Sequence, residues 1–375
     1  MAPLLAYFQD LEDPRWDRFK LHPFNDILFI TICAAICGAD GWKDIEAFAH
    51  AKEDWLRGYL ELPHGLPSDD TFRRVISRIN PEAFETCFRH WVASVVEGTT
   101  GELICIDGKT LRGSYDAQDE KAALCMVSAW ASANGLIMAQ ERVDQKSNEI
   151  TAIPALLSAL ELSGCLVTID AMGTQREIAR QITDQGGQYV LALKSNHPTL
   201  YEDVRTFFEE AQATQFQGIA HDYAARTRRV EHTDGGHGRI EVRRCWAVGD
   251  VAWLRHQDRW AGLRTLVLVE SRRIVGTEER LDRRYYIASA PADAASLLAA
   301  VRGHWGIENR VHWVLDVSFG EDGSRIRKDH GAANMSLLRR LTLNLIRREP
   351  SKGSLKGKRK RAGWDNRFLE KILTG

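Results

Sequence analysis

Three short apolar runs constrain the fold of this chain more than any other feature. ELICIDG (102–108), CLVTIDAMG (165–173) and QYVLALK (188–194) are rich in Ile, Val and Leu and bounded by polar or glycine residues, as buried strands are. Between the first and second, residues 122–132 and 136–143 flank an Asn134-Gly135 pair, the strongest short signal for a hairpin. Residues 149–162 and 175–185 read as helices, the second closed by Gly186-Gly187, since glycine takes the left-handed conformation that ends a helix. The order strand, hairpin, helix, strand, helix, strand predicts an α/β fold with a mixed sheet at its core.

The flanking regions follow other rules. Residues 1–97 read as a helical domain. Its apolar helix starts at Phe24 and stops at Gly38, and Ser68 and Asn80 stand before two further helical segments, as N-caps do. Arg73, Arg74 and Arg78 lie on the polar side of one of them, which fits either a plain helical bundle or a helix-turn-helix reader of DNA. Residues 200–291 hold four strand-like runs around a glycine-rich turn, a β-rich insertion between 98–199 and 292–348. Residues 349–375 read as a basic tail, with six cations and no acid between Ser351 and Arg361.

Net charge is −1, but it is unevenly spread: −6 over residues 1–100, −4 over 101–300 and +9 over 301–375. The C-terminal excess points to a polyanion partner, because Lys and Arg clusters neutralise phosphates and release counterions. The seven cysteines form no CxxC pair, which predicts reduced core thiols and neither a disulfide frame nor a zinc site. No apolar run reaches membrane-span length, and MAPLLAYFQDLEDPRWDR carries acids at once with no apolar signal region. A cytoplasmic location without membrane contact is therefore expected.

Two of the apolar runs end in an acid, at Asp107 and Asp170. Groups just beyond the carboxyl ends of sheet strands converge on one crevice. Two converging carboxylates repel unless a cation lies between them, and Mg²⁺ takes such oxygen ligands while keeping waters for phosphate substrates. Glu308, in the apolar and aromatic stretch VRGHWGIENRVHW, is the best third acid. Asp316, Glu321 and Asp322 rank lower because FGEDGSR reads as a turn. Taken singly, strand-end aspartates also serve as turn caps.

The blocks IDGKTLRGS, VTIDAMGTQ, VLALKSNHPTL and VRGHWGIENRVHWVLDVSFGEDGSRIR, with DPRWDRFKLHPFNDIL upstream, resemble the signature blocks of DDE transposases of bacterial insertion sequences. The group is the ISAs-one type, with its H-repeat-associated proteins, and the resemblance covers nearly the whole chain. It implies an RNase H-like core in which Asp107, Asp170 and Glu308 are the catalytic, metal-holding acids, spaced by 63 and 138 residues with the β-rich insertion in the second gap. Where a related pattern has Tyr and Arg upstream of the glutamate, this chain has Val301 and His304.

The implied cofactor is a pair of Mg²⁺ ions, with Mn²⁺ as substitute. The implied partners are double-stranded DNA, as terminal inverted repeats and target, and a second copy of the chain at synapsis. Lys109, Arg112, Lys194, His304, Asn309, Arg310, Arg325 and Arg327 are the candidate DNA contacts. Trp246, Trp253, Trp305 and Trp313 are read as core packing before base stacking. Two alternatives share these residues: a nuclease of the same fold without strand transfer, and an inactive DNA-binding relative.

Overall fold

The computed structural model describes residues 3–17, 20–115, 122–143, 148–230 and 239–374. In chain order the helices are α1 (Phe24–Cys37), α2 (Trp42–Ala51), α3 (Glu53–Leu56), α4 (Asp69–Ile76), α5 (Pro81–Val95), α6 (Glu149–Ser158) and α7 (Arg176–Asp184). They continue with α8 (Pro198–Ala213), α9 (Ala294–Ile307), α10 (Trp313–Phe319), α11 (Gly331–Arg348), α12 (Leu355–Trp364) and α13 (Asn366–Thr374). The strands are β1 (Leu103–Leu111), β2 (Leu124–Ala131), β3 (Leu136–Val143), β4 (Leu166–Ile169) and β5 (Gln188–Leu193). A second set is β6 (Asp222–Val230), β7 (Arg239–Val248), β8 (Thr265–Val275) and β9 (Glu278–Ala288). The glycine-rich turn predicted between β6 and β7 lies at 231–238, outside the described residues.

The chain divides into two compact units. The first holds Met1–Glu97, Gly108–Asn148 and Glu308–Gly375; the second holds Gly98–Asp107 and Glu149–Ile307. Residues 1–97, expected to stand as a domain of their own, are therefore one part of a larger unit.

In the first unit α1 is central. Every residue from Asp26 to Ile36 is buried, as a helix apolar all round must be. Gly38 ends it at φ 110°, and the N–H of Ala39 reaches back to the carbonyl of Ala34 at 2.9 Å. The expected caps are in place. Ser68 Oγ accepts from Thr71 N, and Asn80 Oδ1 accepts from Glu82 N and Ala83 N ahead of α5. The hairpin β2–β3 forms as predicted, with Gly135 in the left-handed region. It packs beside α5 and α11.

α11 is the polar organiser of this unit. Asn344 exchanges two hydrogen bonds with the backbone of Ile137 in β3, and Asn334 Nδ2 donates to the carbonyls of Ile76 and Ile79. Each bond satisfies a main-chain group that would otherwise be buried without a partner. Fully buried Arg340 donates to Glu321 at 3.0 Å and to Ser128 Oγ at 3.2 Å.

The segment read as a basic tail is folded. Lys358 and Arg359 turn inward: Lys358 pairs with Glu349 at 3.0 Å, and Arg359 donates to the carbonyls of Ala35 and Ser318. Phe368, Leu369, Ile372 and Leu373 of α13 are buried.

In the second unit β1, β4 and β5 run parallel, and β9, β8, β7 and β6 continue antiparallel from the edge of β5. The β-rich insertion thus extends the core sheet. Leu297, Leu298 and Val301 of α9 pack with Val190, Val267 and Val269 over one face of that sheet. All seven cysteines are free thiols, and burial pushes Cys105 and Cys245 up to about 12. Among the described residues no single helix is long and apolar enough to cross a membrane.

Candidate active site

β1 and β4 pair in parallel from Leu103↔Leu166 to Ile106↔Ile169. The next residue on each strand is an acid, so Asp107 and Asp170 stand side by side where the β1–β4 pairing stops, at the end of β4 and within β1. Adjacent strands are about 4.8 Å apart, close enough for both carboxylates to serve one cation site. Ile104, Ile106, Val167 and Ile169 are buried in the sheet just before the two acids; the first run, expected to stop at its acid, continues as β1 to Leu111. β5 pairs with β4 through Leu191↔Ile169, which brings exposed Lys194 to the same end.

Asp170 is held by backbone dipoles. Its Oδ1 accepts from the N–H groups of Met172 at 3.0 Å and Gly173 at 3.2 Å. The turn that aims these donors requires Gly173, because a Cβ there would run into Ile169 and lie 2.7 Å from Ile153 Cδ1. Buried Thr174 ties the turn to β5, donating to the carbonyl of Ala192 at 2.7 Å. Thr168 Oγ1 and His304 Nδ1, 3.1 Å apart, fix α9 on β4 two residues before Asp170. At least one nitrogen of His304 is thus committed to the scaffold.

Glu308 directly follows α9 and opens a π-helical turn, Glu308–His312, before α10 begins. Such turns are rare and frequent at functional sites. The turn splits its polar residues: the Glu308 side chain is 56% exposed, whereas His312 is buried with its Nδ1 2.9 Å from Glu308 Oε2. Burial chiefly holds His312 below the usual imidazole range; the nearby Arg340 and Lys109 charges add to this, and the Glu308 bond opposes it. A neutral imidazole facing a carboxylate must donate from Nδ1, so His312 orients Glu308 as a hydrogen-bond donor.

The competing acids are committed elsewhere in the first unit. Buried Lys109 lies 2.7 Å from Asp316 and 3.3 Å from Asp322, and Arg112 lies 3.8 Å from Asp322. Glu321 is buried against Arg340. Lys109 is therefore an internal counter-ion, while the Arg112 side chain stays 83% exposed. Asn309, Arg310 and Arg325 are exposed, and Arg327 Nε donates to the carbonyl of Gly113.

Trp246 stacks on Phe216 and Trp253 on Phe207. Trp305 lies under the Arg284 guanidinium, and Trp313 is exposed. The sequence reading missed Thr168, Thr174 and His312. Only His312 carried a usable signal, its helical i,i+4 spacing from Glu308.

Asp107, Asp170 and Glu308 offer hard carboxylate oxygens, the donor chemistry that suits Mg²⁺ or Mn²⁺ and phosphate substrates. The family described as "Transposase DDE domain" matches residues 98–345, and one described as "DDE_Tnp_1-associated" matches residues 5–92. The chain is 40% identical over 376 residues to "Putative transposase YncI" of Escherichia coli O157:H7, covering 99% of this chain and 94% of that protein. It is 37% identical to "H repeat-associated putative transposase YhhI" of Escherichia coli K12, over 100% of this chain and 98% of that one. "Inactive transposase YbfQ" of the same strain is 47% identical over 78 residues, 21% of this chain and 93% of its own length. A DDE domain implies an RNase H-like fold, in keeping with the mixed sheet and its flanking helices.

Proposed function

Since this chain belongs to the DDE transposase family, we propose that it cleaves the ends of an insertion sequence and joins the freed 3′-hydroxyl to target DNA. Asp107, Asp170 and Glu308 are the catalytic acids in this reading. The observation that supports it is the parallel pairing of Ile106 with Ile169, after which the next residue on each strand is an acid.

Divalent ions held by such acids activate a water or hydroxyl nucleophile and stabilise the leaving oxygen of an in-line displacement. The chain's own residues supply the alignment. Met172 and Gly173 fix one oxygen of Asp170, leaving its other oxygen to face a ligand. His312 holds one oxygen of Glu308 in the same way. Lys194, exposed beyond β5, is placed to take a phosphate of the bound strand. Arg112, Asn309 and Arg310 are exposed and are the proposed contacts to the DNA backbone. Terminal repeats and target are both duplex DNA, two ends call for a homodimer, and the cytoplasm is the place of action.

Asp107→Asn and Asp170→Asn are expected to abolish strand cleavage in Mg²⁺ or Mn²⁺ while end binding in EDTA persists. Cleavage at the wild-type rate by either variant would remove the assignment. A labelled 3′-hydroxyl end incubated with target plasmid separates the readings further. Joined product marks a transposase, and cleavage alone marks a nuclease. Binding without cleavage by the natural chain marks an inactive relative.

A further inference from the structure

A cleft of about 900 Å³ opens within the first unit. One wall comes from α4 and the start of α2, with Trp42, Arg73 and Ser77. The other is the 320–328 segment, with Arg325, Arg327 and Lys328. Four cations line it against one acid, Asp40, which lies 3.4 Å from Arg359.

These cations are unequally engaged. Arg73 pairs with Asp70, and Arg327 uses Nε on the Gly113 carbonyl. Among the described residues Arg325 and Lys328 have no side-chain hydrogen bond or ion pair, and both are exposed. In the opposite wall Ser77 is buried and, among the described residues, its hydroxyl has no hydrogen-bond partner.

We propose that this cleft is a DNA-backbone site, gripping phosphodiesters independently of the catalytic acids. Several fixed positive charges along one open groove, with a single neutralised acid among them, match a chain of regularly spaced phosphates better than one small anion. The choice of DNA as occupant rests on the transposase reading. The role joins the N-terminal helices to the residues after α10 in a single binding surface. Contacts of this kind are sequence-independent and set position and orientation on the duplex.

The test is equilibrium binding of the full-length protein to a short labelled duplex of arbitrary sequence, in EDTA, over a salt series. The Arg325→Ala/Lys328→Ala double variant is expected to bind more weakly. Its slope of log affinity against log salt should be smaller by about 2, near 1 per lost phosphate contact. Both side chains are exposed, so the melting temperature should not move. Arg325→Lys with Lys328→Arg, which keeps the charges, should restore the slope.

An unchanged slope in the double variant overturns the cleft site. Asp107→Asn is the control that separates the two ideas. If it binds with the full slope but does not cut, both stand. If it cuts normally while the double variant loses its slope, the catalytic assignment falls and the cleft remains.

Discussion

Acidic side chains meet two different fates in this protein. Within 316–322, Asp316 and Asp322 lie against Lys109, and Glu321 lies against Arg340. Just past β4 Asp170 is bonded by two backbone N–H groups and, among the described residues, by no cation. Glu308 meets the buried His312 imidazole. The difference is chemical. A cation beside a carboxylate cancels the charge that would attract a metal ion, whereas a backbone N–H or neutral imidazole orients the carboxylate and leaves its charge in place. The partner of an acid, more than its presence, therefore sorts the acids locked in ion pairs from those whose charge stays available to a metal ion.

Substitutions on the two sides should give opposite results. Asp170→Asn is expected to lower cleavage on the order of 10⁴-fold with little change in unfolding free energy, read by single-turnover kinetics beside a urea melt. A large loss of stability would place Asp170 with the structural acids. Glu321→Gln should do the reverse. Removing one member of a buried pair leaves Arg340 uncompensated, which costs about 3–5 kcal/mol. A urea melt that matched the natural chain would break the comparison.

Glu85 shows a third state. Burial pushes it up to about 8, with the Gln140 N–H and Arg89 acting in the opposite direction. The folded chain thus keeps it protonated at neutral pH, while the unfolded chain ionises it near its ordinary 4.5. Its contribution to stability is complete below that value and is lost as pH rises towards 8, at roughly 1.4 kcal/mol per pH unit where the slope is steepest. Glu85→Gln should flatten this decline, so its stability relative to the natural chain improves between pH 4.5 and 8. Parallel melts across that range check it, and a constant difference would show Glu85 to be ionised in the fold. The smallest effect is expected from Lys109→Met, a loss of about 1.5–3 kcal/mol from charged hydrogen bonds, because Asp316 and Asp322 remain about one-third exposed to water.

Much of this was legible in the residues, for local reasons. The N-caps, the Gly38 stop and the Asn134-Gly135 turn are short-range signals, and each appears where the chain predicts it. Asp107 and Asp170 were visible because each directly follows a run of buried apolar residues, although β1 itself runs on to Leu111. The tail was misread because charge was weighed and periodicity was not. Phe368, Leu369, Ile372 and Leu373 mark a buried helical face, Lys358 is drawn in by the nearby Glu349 carbonyl, and Arg359 by the Ala35 carbonyl from a distant part of the chain. The commitment of Lys109 to Asp316 and Asp322 spans more than 200 residues, and no local pattern encodes such a partnership. His312 escaped for a simpler reason: attention to the acid passed over the donor one turn away.

Gly173 carries a consequence for how mobile genes decay. A single nucleotide change placing even serine there would drive a side chain against Ile169 and Ile153, skewing the donors that steady Asp170. If the three acids are catalytic, such a copy is expected to keep all of them and yet lose cleavage, so a census of genomes that counts only acidic signatures would overestimate how many copies still move.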